Sequence, residues 1–227
     1  MESKKIQVRG TPLIKFQSAE RISSLQRGHL YAKTLKYYRD LEQETGDADI
    51  GDEFEAMLHV NEGYIHIPGT DETIELSDTL ITTGNSEDFV FCMFGIYPSI
   101  QTFRFTDEQR NKMLSFGDTA LVIQNSDEFI KRVFDAAKIK GFEAHFGAAQ
   151  YYDPSVDSGN LIVSLLKGMW NIAYWKRKRY SYQQEGRFVF TPGNGEDHID
   201  LDIGDISDIS TILPASMVLS ALVEKQG

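Results

Sequence analysis

The chain has a single cysteine, Cys92, among its 227 residues, so no internal disulfide braces it. Its longest apolar stretches, at 89–97 and 161–166, fall far short of the roughly 18 residues that cross a bilayer. No membrane partner is expected. The opening Met1-Glu2-Ser3-Lys4-Lys5 lacks the apolar core of a secretory signal, which predicts a cytoplasmic location. Linkers rich in Pro, Gly or Ser, low-complexity tracts and internal repeats are all missing, so a single domain over 1–227 is expected. Also absent are a Gly-rich phosphate loop with its Lys-Ser/Thr, paired cysteines, and a His-Glu-x-x-His helix. The histidines (His29, His59, His66, His145, His198) show no ligand spacing, and no metal site is expected. Cations are outnumbered, 23 Lys+Arg against 34 Asp+Glu for a net charge of −11. That balance opposes non-specific wrapping of nucleic acid, and no strong nucleic-acid binding is expected.

What is present is enough apolar material for a core, 41% of the residues. Residues 12–16 read as a short strand, followed by a helix that Ser18 begins and Gly28 ends. A second strand at 29–31 precedes a helix capped by Thr34. Alternating stretches around 64–67 and 73–76, separated by Pro68-Gly69, predict β-structure. The run 89–94 is apolar at every position, too short for a core helix, and predicts a central strand covered on both faces. Within it Cys92 reads as a packing residue, because no cation stands near it in sequence to activate a thiolate. Thr106 begins a helix ending at Gly117, 119–123 is a strand, and Asn125 caps the next helix. Apolar spacing over 161–179 predicts a further helix, 186–190 and 198–203 a hairpin, and Pro214 the start of a last helix reaching Leu222. Strands and helices mix without βαβ alternation. The fold class is therefore α+β, with a mixed or antiparallel central sheet and flanking helices.

Charge is unevenly placed. Acids crowd 40–55 and 196–208, whereas 175–180 is basic and aromatic. The acidic run, with Asp47, Asp49, Asp52, Glu53 and Glu55, lacks the ligand order of a calcium loop and reads as a solvated loop. The basic run either stacks bases or ends a helix whose dipole its cations complement. Asp200 and Asp202 share one strand face and read as protection of an exposed edge. Glu185 begins the apolar strand at 185–190, where a rigid sheet can hold a carboxylate at a cleft. The competing reading is a surface Glu paired with Arg187 or Arg179.

Three blocks carry a resemblance. Leu13 to Phe16 with His29 to Tyr31 and the Gly51-Asp52-Glu53-Phe54-Glu55 run, the strand Phe91-Cys92-Met93-Phe94, and Trp175 followed by Glu185-Gly186-Arg187 together resemble a bacterial family catalogued as a domain of unknown function. That family has an acidic motif with Asn-Asp-Pro and a Ser after the strand cysteine; here Gly51 and Glu53 flank Asp52, and Met93 follows Cys92. The order of parts is also similar to ADP-ribosyltransferase-like folds. That layout implies NAD as a substrate, Glu185 as the carboxylate that stabilises oxocarbenium character at the ribose, Lys15 or Arg187 at the pyrophosphate, and Tyr31 or Phe94 over the nicotinamide. It implies an enzyme of toxin or phage-conflict type. The other implied reading is a non-catalytic module binding a nucleotide or a protein partner.

Overall fold

The computed structural model describes residues 8–46, 51–55, 57–67, 69–82, 84–97, 102–153 and 169–224. In chain order the strands are β1 Leu13–Gln17, β2 His29–Thr34, β3 Met57–His66, β4 Thr73–Thr82, β5 Phe89–Gly95, β6 Thr102–Arg104, β7 Thr119–Ile123, β8 Glu143–Ala148, β9 Gln150–Tyr152, β10 Trp175–Arg177, β11 Glu185–Thr191, β12 His198–Asp202, β13 Ser210–Pro214 and β14 Leu222–Glu224. The helices are α1 Ala19–Gln26, α2 Leu35–Thr45, α3 Asp107–Met113, α4 Ser126–Ile139 and α5 Ala215–Leu219. The fold is α+β around one large antiparallel sheet.

Caps explain the helix starts. Thr34 Oγ1 accepts from the Tyr37 N–H, Asn125 Oδ1 accepts from the Glu128 N–H, and Thr106 forms a reciprocal box with Gln109. Ser18 occupies the same place on α1 without a side-chain cap bond. Gly28 ends α1 with φ of +103°, and a Cβ there would stand 2.5 Å from the Gly204 carbonyl oxygen. Only glycine lets these two backbones meet.

The sheet is organised by β5. Its six residues from Phe89 to Phe94 pair along one edge with β11, which passes the ladder on to β8. The other edge is shared: Phe89 and Val90 pair with β2, while Phe94 and Gly95 pair with β1. The sheet therefore forks, one branch running β5-β2-β12 and the other β5-β1-β7-β13. Along that shared edge, 91–93 have no ladder partner among the described residues.

One face buries Leu13, Leu30, Phe89, Phe91, Leu121 and Phe188 beneath α1 and α4. Phe188 is its hub, with ring centroids 4.5 Å from Phe146 and 5.7 Å from Phe129; each such buried side chain stabilises the fold by about 1.5–3 kcal/mol. The opposite face carries two apolar patches. Phe16, Phe94, Phe103 and Phe105 gather beneath α3 and α5, and Val90 and Val189 pack with Leu35 and Tyr174. Between the two patches the cross-strand pair is Cys92 with Arg187.

Three expectations are corrected. The predicted helix over 161–179 lies outside the described residues up to 168. Beyond that the chain is a 3-10 helix at Met169–Tyr174, then β10, then a second 3-10 helix at Lys178–Gln183. An extended backbone alternates side chains, which turns Lys176 inward and leaves Trp175 and Arg177 at the rim. The expected hairpin of 186–190 with 198–203 does not form. Both edges of β11 are taken by β5 and β8, so β12 crosses to β2. The last helix is short, and Leu222 lies in β14, paired with β6. β12 ends the sheet path as an edge strand with Asp200 and Asp202 exposed, as expected of edge protection.

Candidate functional site

The polar centre lies on that second face. Glu185 Oε1 accepts from Lys176 Nζ at 2.9 Å and Oε2 from Arg187 Nε at 2.6 Å. Arg187 reaches on to Glu55 with Nη1 to Oε1 at 2.6 Å and Nη2 to Oε2 at 3.3 Å, and also donates to the Ala173 carbonyl. Lys176 donates to Gln183 Oε1 at 2.7 Å. The four charged residues are only 1–7% exposed. Two anions and two cations sum to zero, which is the condition for holding charge in so dry a place.

Backbone geometry fixes Glu185. Gln184 is left-handed, with φ of +39°, and turns the chain into β11. Gln109 Nε2 holds the Gln184 side chain at 2.8 Å, and the Gly95 N–H donates to the Gln184 carbonyl at 2.9 Å. The Glu185 N–H donates to the Tyr151 hydroxyl at 2.9 Å, and the Tyr97 hydroxyl donates to the Glu185 carbonyl at 2.8 Å.

Burial pushes the Glu185 carboxyl upward, but Arg187 and Lys176 outweigh it and hold the group well below the usual carboxylate range. Burial pushes Glu55 above its ordinary range, against the pull of Arg187 and Lys176. Cys92, with burial the main cause and Glu185 adding to it, has its thiol pushed up to about 12. Cys92 is half-buried and packs with Val90, Val189 and Tyr174, in keeping with the packing residue the sequence predicts.

Further ion pairs lie outside this buried group. Arg177 Nη2 lies 2.8 Å from Asp52 Oδ1 and 3.4 Å from Glu42 Oε2, and its Nη1 lies 3.0 Å from Glu53 Oε1. Arg179 also bonds Glu42, and the Arg177 guanidinium stacks 4.3 Å over the Phe54 ring. The described part of the acidic run, 51–55, is thus no solvated loop, and the basic run does not end a helix. They neutralise each other. Among the described residues no group of His, Cys, Asp and Glu is arranged to hold a metal ion.

The sequence-predicted residues divide. Lys15, Phe94 and Glu185 line one small cleft of about 60 Å³, with Cys92, Met113 and Gln183 among its other walls. Arg187 grips Glu185 from beside it. Tyr31 lies elsewhere, on the outer face of β2, 43% exposed and stacked 4.9 Å from His198. Glu55 and Lys176 stood in the acidic and basic runs without a role at a site, and Gln183 had none. The signal for them was two opposite charge runs, each interleaved with aromatics, Phe54 in one and Trp175, Tyr180 and Tyr182 in the other.

Compared with known proteins, this chain matches no family model, no curated protein and no solved structure.

Proposed function

We propose that this chain is a non-catalytic binding module for a basic protein partner, acting in the cytoplasm. The observation that carries this is the β3–β4 ribbon. Its strands run ten residues each, about 33 Å, and among the described residues they pair only with each other. An isolated two-stranded ribbon is marginal in water, and both its outer edges offer backbone groups to an added strand. Glu62, Asp71, Glu72, Glu75 and Asp78 on it are all exposed, as are Tyr64 and Ile74, at 62% and 49%. No Lys or Arg stands anywhere between Arg39 and Arg104. Charge complementarity therefore selects an extended segment rich in Lys and Arg, with Tyr64 as an apolar anchor.

The test replaces 61–78 by Asn-Gly, which suits a two-residue turn between Val60 and Thr79, paired in the register. A labelled peptide alternating Lys with Val is titrated against the whole chain and the shortened one, beside the same peptide carrying Glu. Binding of the Lys peptide by the whole chain, weakened at least about tenfold by shortening, is the expected result. Equal affinity of the two proteins would overturn the reading.

A second reading, an NAD-consuming ADP-ribosyltransferase-like enzyme of toxin or phage-conflict type, is favoured by one observation: Lys15, Phe94 and Glu185 meet at one cleft with Arg187 adjoining. Two features weigh against it. Both Glu185 oxygens are engaged by cations within 2.9 Å, which cancels the field a cationic transition state needs. The cleft, about 60 Å³, is also well under the roughly 300 Å³ of ordinary ligand pockets. Nicotinamide release from NAD by the purified chain, lost on Glu185→Asp with the fold intact, would establish the enzyme instead.

A further inference from the structure

Lys15 is a cation outside the buried charge network of Glu185, Arg187, Glu55 and Lys176. It stands on β1 at the fork of the sheet, where 91–93 of β5 have no ladder partner on that side among the described residues, and its Nζ donates to the Cys92 carbonyl at 2.7 Å. The ammonium lies 4.6 Å over the Phe91 ring. No carboxylate comes within ion-pair distance of it among the described residues, since Glu185 is engaged by Lys176 and Arg187. The amine thus has one hydrogen-bond acceptor, an aromatic face, and the cleft shared with Met93, Phe94, Met113, Phe116 and Glu185.

We propose that Lys15 is a carbonyl-reactive amine, and that the cleft admits a short-chain aldehyde with which it condenses to an imine. This site is independent of the ribbon and of any partner docked there. The cleft volume of about 60 Å³ accommodates a molecule of a few heavy atoms. Its walls are mostly apolar, which selects a neutral, short aldehyde over a charged keto acid.

The chemistry balances. The nitrogen lone pair attacks the carbonyl carbon, and a proton moves from nitrogen to oxygen to give the carbinolamine. The C–O bond then breaks, the oxygen leaves with both amine hydrogens as water, and a C=N bond remains. The step needs the neutral amine. Burial lowers the proton affinity of Lys15, with Arg21 on α1 adding to this and Cys92 on β5 and Glu185 on β11 opposing it. Each unit of lowering raises the neutral fraction about tenfold at neutral pH.

The experiment treats the full chain briefly with dilute acetaldehyde and cyanoborohydride at neutral pH and maps the ethylated lysines by peptide mass spectrometry. Lys15 is expected to be ethylated at least about tenfold faster than Lys131, whose ammonium is stabilised by Asp135. A Met113→Phe variant, which fills the cleft and leaves the amine in place, is expected to abolish that preference while circular dichroism stays unchanged. Ethylation of Lys15 no faster than of Lys131, or undiminished in folded Met113→Phe, would overturn the proposal.

Discussion

Arg177 binds Asp52 through two nitrogens, Nη2 at 2.8 Å and Nε at 3.1 Å, across 125 positions of sequence. This contact ties the basic run to the acidic run and seals the buried group of Glu185, Arg187, Glu55 and Lys176 behind it. Lys176 and Arg177 are therefore committed inside the molecule, whereas Lys178 and Arg179 stay exposed. Variants along the run should separate by burial.

Replacing Lys176 by Gln should cost about 3–5 kcal/mol, because Glu185 and Glu55 are left with one cation between them in a dry site. Lys178→Gln, at an exposed position, should change stability by less than about 0.5 kcal/mol. Urea denaturation of both variants measures the difference. Equal midpoints would mean that the buried ion pairs are not formed.

Glu185→Gln should likewise lower stability by about 3–5 kcal/mol, since an amide cannot answer both Lys176 and Arg187. A carboxyl held below its unfolded pKa stabilises the fold above that pKa and loses the contribution as pH falls through the folded value. For Glu185 that value lies well below the carboxylate range. The gap between wild type and variant should be full above about pH 5, begin to narrow as pH falls through the ordinary Glu range, and close only in much stronger acid.

Asp88 gives the opposite sign. It is 4% exposed, its Oδ1 accepts from the Gly193 N–H at 3.0 Å, and its Oδ2 has no partner among the described residues. Burial pushes this carboxyl up, with Gly193 and His145 pulling the other way. A raised carboxyl stabilises the fold below its unfolded pKa and loses that contribution as pH rises through the folded value. Asp88→Asn, which keeps an acceptor and removes the charge, should stabilise the protein by roughly 1 kcal/mol at pH 7. The gain should vanish below about pH 4; thermal melts across pH check both points.

Cys92 should resist iodoacetamide at pH 8 in the native protein and react fully in denaturant, because its thiol is pushed up to about 12. Native-state alkylation at the rate of a free thiol would contradict the packing of this strand.

Gly28→Ala should cost about 1–3 kcal/mol, since φ of +103° and the Gly204 carbonyl at 2.5 Å both exclude a Cβ. Differential scanning calorimetry measures it.

Much of the fold was legible locally. β5 announced itself by six apolar residues in succession, and Thr34, Thr106 and Asn125 marked helix starts through side-chain bonds only a turn long. What failed was decided at a distance. The 198–203 strand leaves its neighbour because β5 and β8 occupy both edges of β11, a fact no local spacing contains. The helical spacing before Arg179 yields to a strand because Lys176 has Glu185 to reach. Glu185 does begin its strand, and pairing with Arg187, two residues on, was one of the readings the sequence offered; the burial of that pair and its second cation, Lys176, could not be read from one strand. Lys176 lay in a run that looked like surface, and Glu55 in one that looked like a loop.

The order of synthesis gives the fork a last significance. β1, β2 and β5 all emerge early and can pair as they leave the ribosome, yet Arg187 follows Glu55 by 132 positions. Until it arrives, one face of the nascent sheet offers an acidic segment nothing to close upon, and those carboxylates stay hydrated. Non-local pairing of this kind is slow to form. The charge seam is accordingly a latch that shuts late, and a chain stalled before Arg187 would carry a half-sheet with an open, wet flank, a ready substrate for chaperones.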